Sequence, residues 1–162
     1  MSPERKDVRE APRIFDSDYY QRLYEIEEQN GWALGMRDAM AALLEAPLSG
    51  RKQLRVLDVG CGTGYLLQYI ERYVSAVDSV GIDISVHALK FCQHRGASSL
   101  ALANASQLPL ASNTFDLILC IDTIQHLDPA GSDLIALREC KRLLRAGGLL
   151  YLRTNSSLGH AP

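Results

Sequence analysis

An open, doubly wound α/β fold on a mostly parallel sheet is what the sequence predicts, and three observations predict it. From residue 54 onward, short apolar runs alternate with amphipathic stretches. Two of the runs, Val56-Leu57-Asp58-Val59 and Leu117-Ile118-Leu119-Cys120-Ile121, are nearly continuous, as expected of strands covered by helices on both faces. The first leads at once into Gly60-Cys61-Gly62-Thr63-Gly64, a glycine turn between a strand and a helix, where open parallel sheets place their ligands.

Residues 1–15 hold two prolines and seven charged side chains with little apolar periodicity and read as a mobile arm. Residues 16–50 read as a helical cap. Tyr20, Leu23, Tyr24 and Ile26 start one helix, and Leu34, Met36, Met40, Leu43 and Leu44 mark a second after the Asn30-Gly31 break. Pro47 to Gly50 is expected to end this layer. Residues 51–162 form the core: strand Leu54 to Val59, helix from about Thr63 to Tyr73, strand near Val80 to Ile84, helix Val86 to His94 and strand Ser99 to Ala103. A loop through Pro109 comes next, then strand Phe115 to Ile121, a helix within Pro129 to Arg145, and strand Leu149 to Arg153. For that last helix, Asp128 before Pro129 reads as an N-cap and Gly147 as the glycine beyond the C-terminus.

Composition narrows the function classes. With 162 residues, 47% apolar and 22% charged, the chain supports one domain with one core. Seventeen basic against nineteen acidic side chains leave a net charge of −2, which argues against binding nucleic acid or anionic membrane by bulk electrostatics. No apolar run approaches the roughly 20 residues of a membrane span, and the charged N-terminus carries no secretory pattern, so a cytoplasmic location is expected. Cys61, Cys92, Cys120 and Cys140 lie 31, 28 and 20 positions apart, without a C-x-x-C pair or a histidine at metal spacing; they read as reduced packing residues, and no metal is expected.

The glycines occur as G-x-G-x-G rather than the dinucleotide fingerprint G-x-G-x-x-G, and no G-x-x-x-x-G-K-S/T is present. A nicotinamide or flavin dinucleotide fits poorly, as does a triphosphate held by a P-loop. Asp83 lies nineteen positions beyond Gly64 at the end of the neighbouring strand. A carboxylate there accepts from both hydroxyls of a ribose and repels a 2′-phosphate, so the expected ligand contains an unphosphorylated ribose.

Together these segments resemble the class I S-adenosylmethionine-dependent methyltransferases of the methyltransferase type 11 kind, from about Val56 to Leu152. Residues Val56 to Gly64 resemble the family's first motif and Gly81-Ile82-Asp83-Ile84-Ser85 its second. Asn104-Ala105-Ser106-Gln107-Leu108-Pro109-Leu110, with Phe115-Asp116-Leu117-Ile118 after it, resembles D-A-x-x-L-P-F and F-D-x-V. Leu144-Arg145-Ala146-Gly147-Gly148 resembles L-K-P-G-G. The resemblance implies a Rossmann-like fold that binds S-adenosylmethionine and releases S-adenosylhomocysteine. In that picture Asp58 holds the methionyl amino end, and Gly60, Cys61, Gly62 and Gly64 line the loop. Asp83, with Ile84 beside it, takes the ribose, and Asn104 with Ala105 meets the adenine. Asn104 stands in place of the family's aspartate, so its alternative is a loop residue capping its own backbone.

Tyr20 to Arg37 resembles a helical cap reading E-x-x-H-W-W in one methyltransferase subgroup, with Asn30 and Gly31 replacing the histidine and the first tryptophan. By this resemblance Tyr20, Trp32 and Arg37 close over the cofactor, Arg37 pairing its carboxylate; a packing tryptophan and a solvated arginine are the alternative. Cys120 to Asp128 resembles a segment ending E-H-L-x-D on the acceptor side. There His126 is the candidate catalytic base, or a residue holding the loop by hydrogen bonds. The expected function is methyl transfer to a small-molecule acceptor rather than a macromolecule. The family continues past its fifth strand with a helix and an antiparallel hairpin, so a noncatalytic cofactor-binding or scaffold domain is the alternative. A final strand without that hairpin is expected to self-associate.

Overall fold

A computed structural model of the chain describes residues 15–73, 77–128 and 131–155. Its first helix, α1 (Ser17–Ile26), starts where the Asp16 carboxylate accepts the Tyr19 N–H at 2.8 Å, satisfying a donor that no helical carbonyl can reach. The Asn30-Gly31 break is a second start. The Asn30 side chain accepts from Trp32 and Ala33, at 3.0 and 3.1 Å, and opens α2 (Gly31–Leu48). This helix runs through Pro47 and stops at Leu48, within the stretch Pro47 to Gly50 expected to end the layer. Proline removes one N–H, and in a last turn that loss interrupts nothing downstream. Ser49 and Gly50, the latter at φ +74°, then end the helix.

The sheet order is β3-β2-β1-β4-β5. Strand β1 (Leu54–Val59) lies in the middle, flanked by β2 (Val77–Asp83) and β4 (Phe115–Ile121); β3 (Leu100–Leu102) and β5 (Leu144–Arg153) form the edges, and all four pairings are parallel. Helix α3 (Tyr65–Tyr73) joins β1 to β2 and α4 (Val86–His94) joins β2 to β3, while α5 (Ser132–Leu143) precedes β5. This is the doubly wound parallel sheet expected from the uninterrupted apolar runs. Alternate residues of the central strands face opposite layers: Leu57, Val59, Ile118 and Cys120 pack with Ala136, Cys140 and Leu143 of α5, whereas Val56, Leu117 and Leu119 pack with Met40 of α2 and Ile70 of α3. All four cysteines are buried free thiols.

Two expected helix ends are corrected. The N-cap of α5 is Gly131, at φ +91°, not Asp128; Pro129, expected in its first turn, lies outside the described residues. Gly147 is not a residue just beyond that helix, because α5 ends at Leu143 and β5 begins with the next residue. Leu144 pairs with Phe115 and Leu149 with Leu117, so β5 carries a register shift that leaves Arg145 to Gly148 as an excursion, with Gly147 at φ +74°. Four residues opposite one form an enlarged, irregular bulge, and the positive φ falls to glycine. Of the expected N-terminal arm, residues 1–14 lie outside the described residues, and Phe15 sets its ring edge-on to His126 at 5.3 Å.

Among the described residues no strand pairs with the outer edge of β5, where Leu150 and Leu152 are 36% and 39% exposed. We propose that this edge supports association between copies. Sedimentation velocity should show an average mass that rises with concentration, and a monomer at every concentration would remove the proposal.

Candidate functional site

Between the carboxyl ends of β1 and β4 the chain leaves the sheet toward opposite faces, into α3 on one side and toward α5 on the other, and the crevice this creates holds a cavity of about 470 Å³. Its floor is the glycine loop. Gly60 and Cys61 donate their N–H groups to the Ile82 carbonyl, at 2.7 and 2.9 Å, which ties the loop to the end of β2. Gly60, Gly62 and Gly64 lie at φ +77°, +54° and +80°, a region that L side chains seldom enter. Two are also crowded: a Cβ on Gly60 would lie 2.2 Å from the Thr123 hydroxyl oxygen, and one on Gly64 would lie 3.0 Å from the Cys92 backbone. At Gly62 the same position is open space. Here the backbone itself faces the cavity.

Asp83 at the end of β2 is buried, and two backbone donors orient its carboxylate: Gly62 N–H on one oxygen at 3.0 Å and Ser85 N–H on the other at 2.8 Å. The Ile84 N–H and the Tyr20 hydroxyl also reach this carboxylate, so a diol has to share its roughly four acceptor positions with them. Burial raises the Asp83 pKa, and its hydrogen bonds to Ser85 and Gly62 oppose the rise. Asp58, wholly buried beside it, is pushed up to about 7, first by burial and then by the charge of Asp83. The Tyr20 hydroxyl lies by Asp83 and Ser85, and burial, then Asp83, raises its pKa far above the usual phenol range.

Every residue expected at the site lines this one cavity except Gly64, which is buried behind the loop against Cys92. Cys61 turns its thiol inward, 3.6 Å from the Cys92 sulfur. Ile84 presents a side chain 64% exposed. Asn104 takes the backbone-capping role, its side-chain oxygen accepting the Ser106 N–H at 2.8 Å, and Ala105 is buried behind it. Arg37 donates to the Tyr65 hydroxyl at 3.0 Å, pairs with Asp38 at 2.7 Å and lies over the Tyr69 ring at 4.6 Å. Trp32 is 62% exposed, and the Arg153 guanidinium stands 4.9 Å from its ring centre. His126 sits in a 3₁₀ turn, Ile124–His126, after β4.

Glu27, Phe15 and Tyr19 carried no signal as cavity residues in the sequence, whereas Asp122 stands with His126 in the segment read as the acceptor side, with the same two readings open. Glu27, at the end of α1, is buried, accepts the Thr63 hydroxyl of the glycine loop and pairs with Arg95 at 2.7 Å. Asp122, at φ +50°, pairs with Arg153 at 2.5 Å across the ends of β4 and β5. Phe15 and Tyr19 add aromatic walls, their rings edge to face at 6.3 Å. Glu27 reads in sequence as one polar residue among several on a surface helix, and its partner is 68 positions away.

Residues 57–152 match a protein family described as the methyltransferase domain. The chain is 33% identical over 137 residues to a ubiquinone biosynthesis O-methyltransferase of Paracidovorax citrulli, a match spanning 80% of the chain and 52% of that protein. It is 30% identical over 129 residues to a fatty-acid O-methyltransferase of Mycolicibacterium smegmatis, spanning 78% and 44%. The fold is shared with a putative S-adenosyl-L-methionine-dependent methyltransferase of Methanococcus maripaludis, at a TM-score of 0.70 and 20% identity over 93% of this chain and 66% of that one. It is shared also with the [4+2]-cyclase SpnF, at 0.62 and 26% over 75% and 46%. The chain thus spans about half the length of the curated relatives it matches. With the glycine loop and the oriented Asp83 both inside the matched span, the chain belongs to the class I S-adenosylmethionine-dependent methyltransferase family.

Proposed function

We propose that this chain binds S-adenosylmethionine in the switch-point cavity and forms the cofactor-binding part of an enzyme that methylates an oxygen of a small-molecule acceptor. One observation carries the cofactor reading: Gly62 and Asp83 are joined by a backbone hydrogen bond, so the loop that allows close backbone approach and the carboxylate that takes a ribose act on one ligand. The cavity of about 470 Å³ is in the range of small-molecule and cofactor pockets. The oxygen acceptor is supported by relatives named as O-methyltransferases.

When bound, the cofactor supplies a methyl group already activated by a positively charged sulfur. The chain's own task is then to bind and to orient. Asp83 holds the ribose hydroxyls, and Asp58 in its ionised form attracts the amino group. Asn104, with one lone pair left on its side-chain oxygen and a free amide, meets the base beside the apolar Ile84. Arg37, with Trp32 and Tyr20, covers the cofactor from the cap. On the acceptor side Phe15, Tyr19 and Trp32 offer ring faces, and His126 and Asp122 are the groups that can take the proton an acceptor hydroxyl loses. Alignment of reactants supplies about 7–11 kcal/mol in favourable cases, against a typical 10²–10⁴-fold from a proton-transfer group, so positioning dominates. A second reading, cofactor binding without methyl transfer, is favoured by the likeness to a protein named as a cyclase. A methyl-release assay with S-adenosylmethionine separates the two.

Three outcomes are expected. S-adenosylhomocysteine should raise the melting temperature, by the equivalent of about 2.7 kcal/mol at a hundredfold excess over its Kd, while NAD should not; a larger shift with NAD would overturn the cofactor assignment. Asp83→Ala should weaken S-adenosylhomocysteine binding by about 1.5–3 kcal/mol, and Asp83→Asn by less, measured by calorimetric titration. Affinity should also depend on pH through Asp58. Neutral below about pH 6 and ionised above about pH 8, Asp58 should make S-adenosylhomocysteine bind more tightly as pH rises across that window, with proton release on binding near its midpoint. The unliganded fold has the opposite trend: its Asp58 keeps a proton that the unfolded chain loses near 3.8, so this group makes folding less favourable as pH rises from about 4 to about 7. Asp58→Asn should flatten both.

A further inference from the structure

Two consecutive residues of the glycine loop are held from opposite sides. Gly62 donates its N–H to Asp83 on β2, and Thr63 donates its hydroxyl to Glu27, the residue that ends α1. Thr63 is 1% exposed and Glu27 7%, so neither group has water as a ready substitute. Glu27 is itself fixed by Arg95, just past α4, whose guanidinium donates to it at 2.7 Å and also reaches Glu28. The Tyr24 ring lies under that guanidinium at 4.3 Å, and Tyr65 lies at 5.6 Å on another side. The Arg95 side chain is 2% exposed. The cap therefore touches the cofactor loop through a buried, charge-assisted bond, and both ends of that bond line the cavity.

Breaking this bond leaves the buried Thr63 hydroxyl without its partner, while Glu27 keeps Arg95 on the same oxygen, so the cost of opening falls on the loop. With the Thr63–Glu27 bond made, the loop keeps its left-handed turns at Gly62 and Gly64 and α1 stays closed, with Tyr20 beside Asp83. With it broken, the loop keeps its anchors on β2 and on Cys92 of α4, and α1 loses its buried link to the loop.

Resting on the cofactor reading above, we propose that Glu27 is a positioning residue that couples cofactor binding to closure of the cap: through Thr63 it holds the glycine loop in its binding conformation, and Arg95 acts through it. Coupling of this kind is reciprocal. Whatever tightens the loop must also tighten α1.

Thr63→Val tests this, since it removes the hydroxyl and keeps the shape, with Thr63→Ser as the rescue and Thr63→Ala should valine destabilise the fold. S-adenosylhomocysteine is the probe, followed by titration calorimetry and by hydrogen exchange of residues 17–27. In the parent, the ligand should slow exchange across residues 17–27. Thr63→Val should bind about tenfold more weakly, the scale of one hydrogen bond to a charged group, and should lose that ligand-induced slowing while keeping it around residues 81–85. Thr63→Ser should restore both. Parental affinity together with parental slowing in Thr63→Val would overturn the proposal, as would loss of both in Thr63→Ser. A parent that fails to bind S-adenosylhomocysteine is a different result, which removes the cofactor reading and this inference with it.

Discussion

At the end of β1, position 60 must be glycine, because the Thr123 side chain, reaching over from the end of β4, occupies the space where a Cβ would sit. Thr123 is fixed there by its own hydroxyl, which donates toward the Val59 and Ile121 carbonyls at 3.0 Å each. The backbone at residue 60 turns at φ +77°, a left-handed conformation open to glycine, and the path of the next three residues follows from it. The turn points the N–H groups of Gly60 and Cys61 at Ile82, brings Gly62 to Asp83 and delivers Thr63 to Glu27. The glycines are thus a packing requirement before they are a binding motif, and the cavity is the space this close crossing leaves above the sheet.

Charge inside that cavity is lopsided. Glu27, Asp58, Asp83, Asp122 and Asp128 line it against Arg37 and Arg153. Arg153 is held by Asp122 and Arg37 by Asp38, so both cations are already matched by carboxylates. Glu27 is matched in turn by Arg95, which leaves the buried pair Asp58 and Asp83, where burial first and, at Asp58, the neighbouring charge of Asp83 raise the pKa. A ligand bearing positive charge relieves this pair. The same chain carries a net charge of only −2, so the preference belongs to the crevice and not to the surface as a whole.

How far this was legible in the sequence depends on the range over which each feature is encoded. The parallel sheet, the glycine loop and Asp83 were readable because strand, turn and carboxylate announce themselves within about thirty residues through hydrophobic period and glycine spacing. The Glu27–Arg95–Thr63 cluster was not, because its partners come from three elements and each looks alone like an ordinary polar residue. Asp128 and Gly147 illustrate another limit. Local capping rules placed both at the ends of α5, yet Gly131 supplies the start and the bulge in β5 claims Gly147. Asn104 went the other way, its local backbone bond to Ser106 being one of the two readings that local chemistry allows.

The cavity draws on Tyr20, the loop at residues 60–63, Asp83, Asn104, Asp122 and Arg153, residues scattered over nearly the whole chain and gathered only when the central strands of the sheet are in register. Non-local pairings of this kind form slowly, since each must close a long loop before it gains contacts. A partly folded chain, with β1 beside β2 but β4 still apart, has half a floor and no acceptor side. A small molecule that needs the whole set finds no partner in the unfolded ensemble or in such an early state. Its stabilisation is therefore kinetic in one direction: it slows the loss of the native state and leaves the speed of reaching it unchanged.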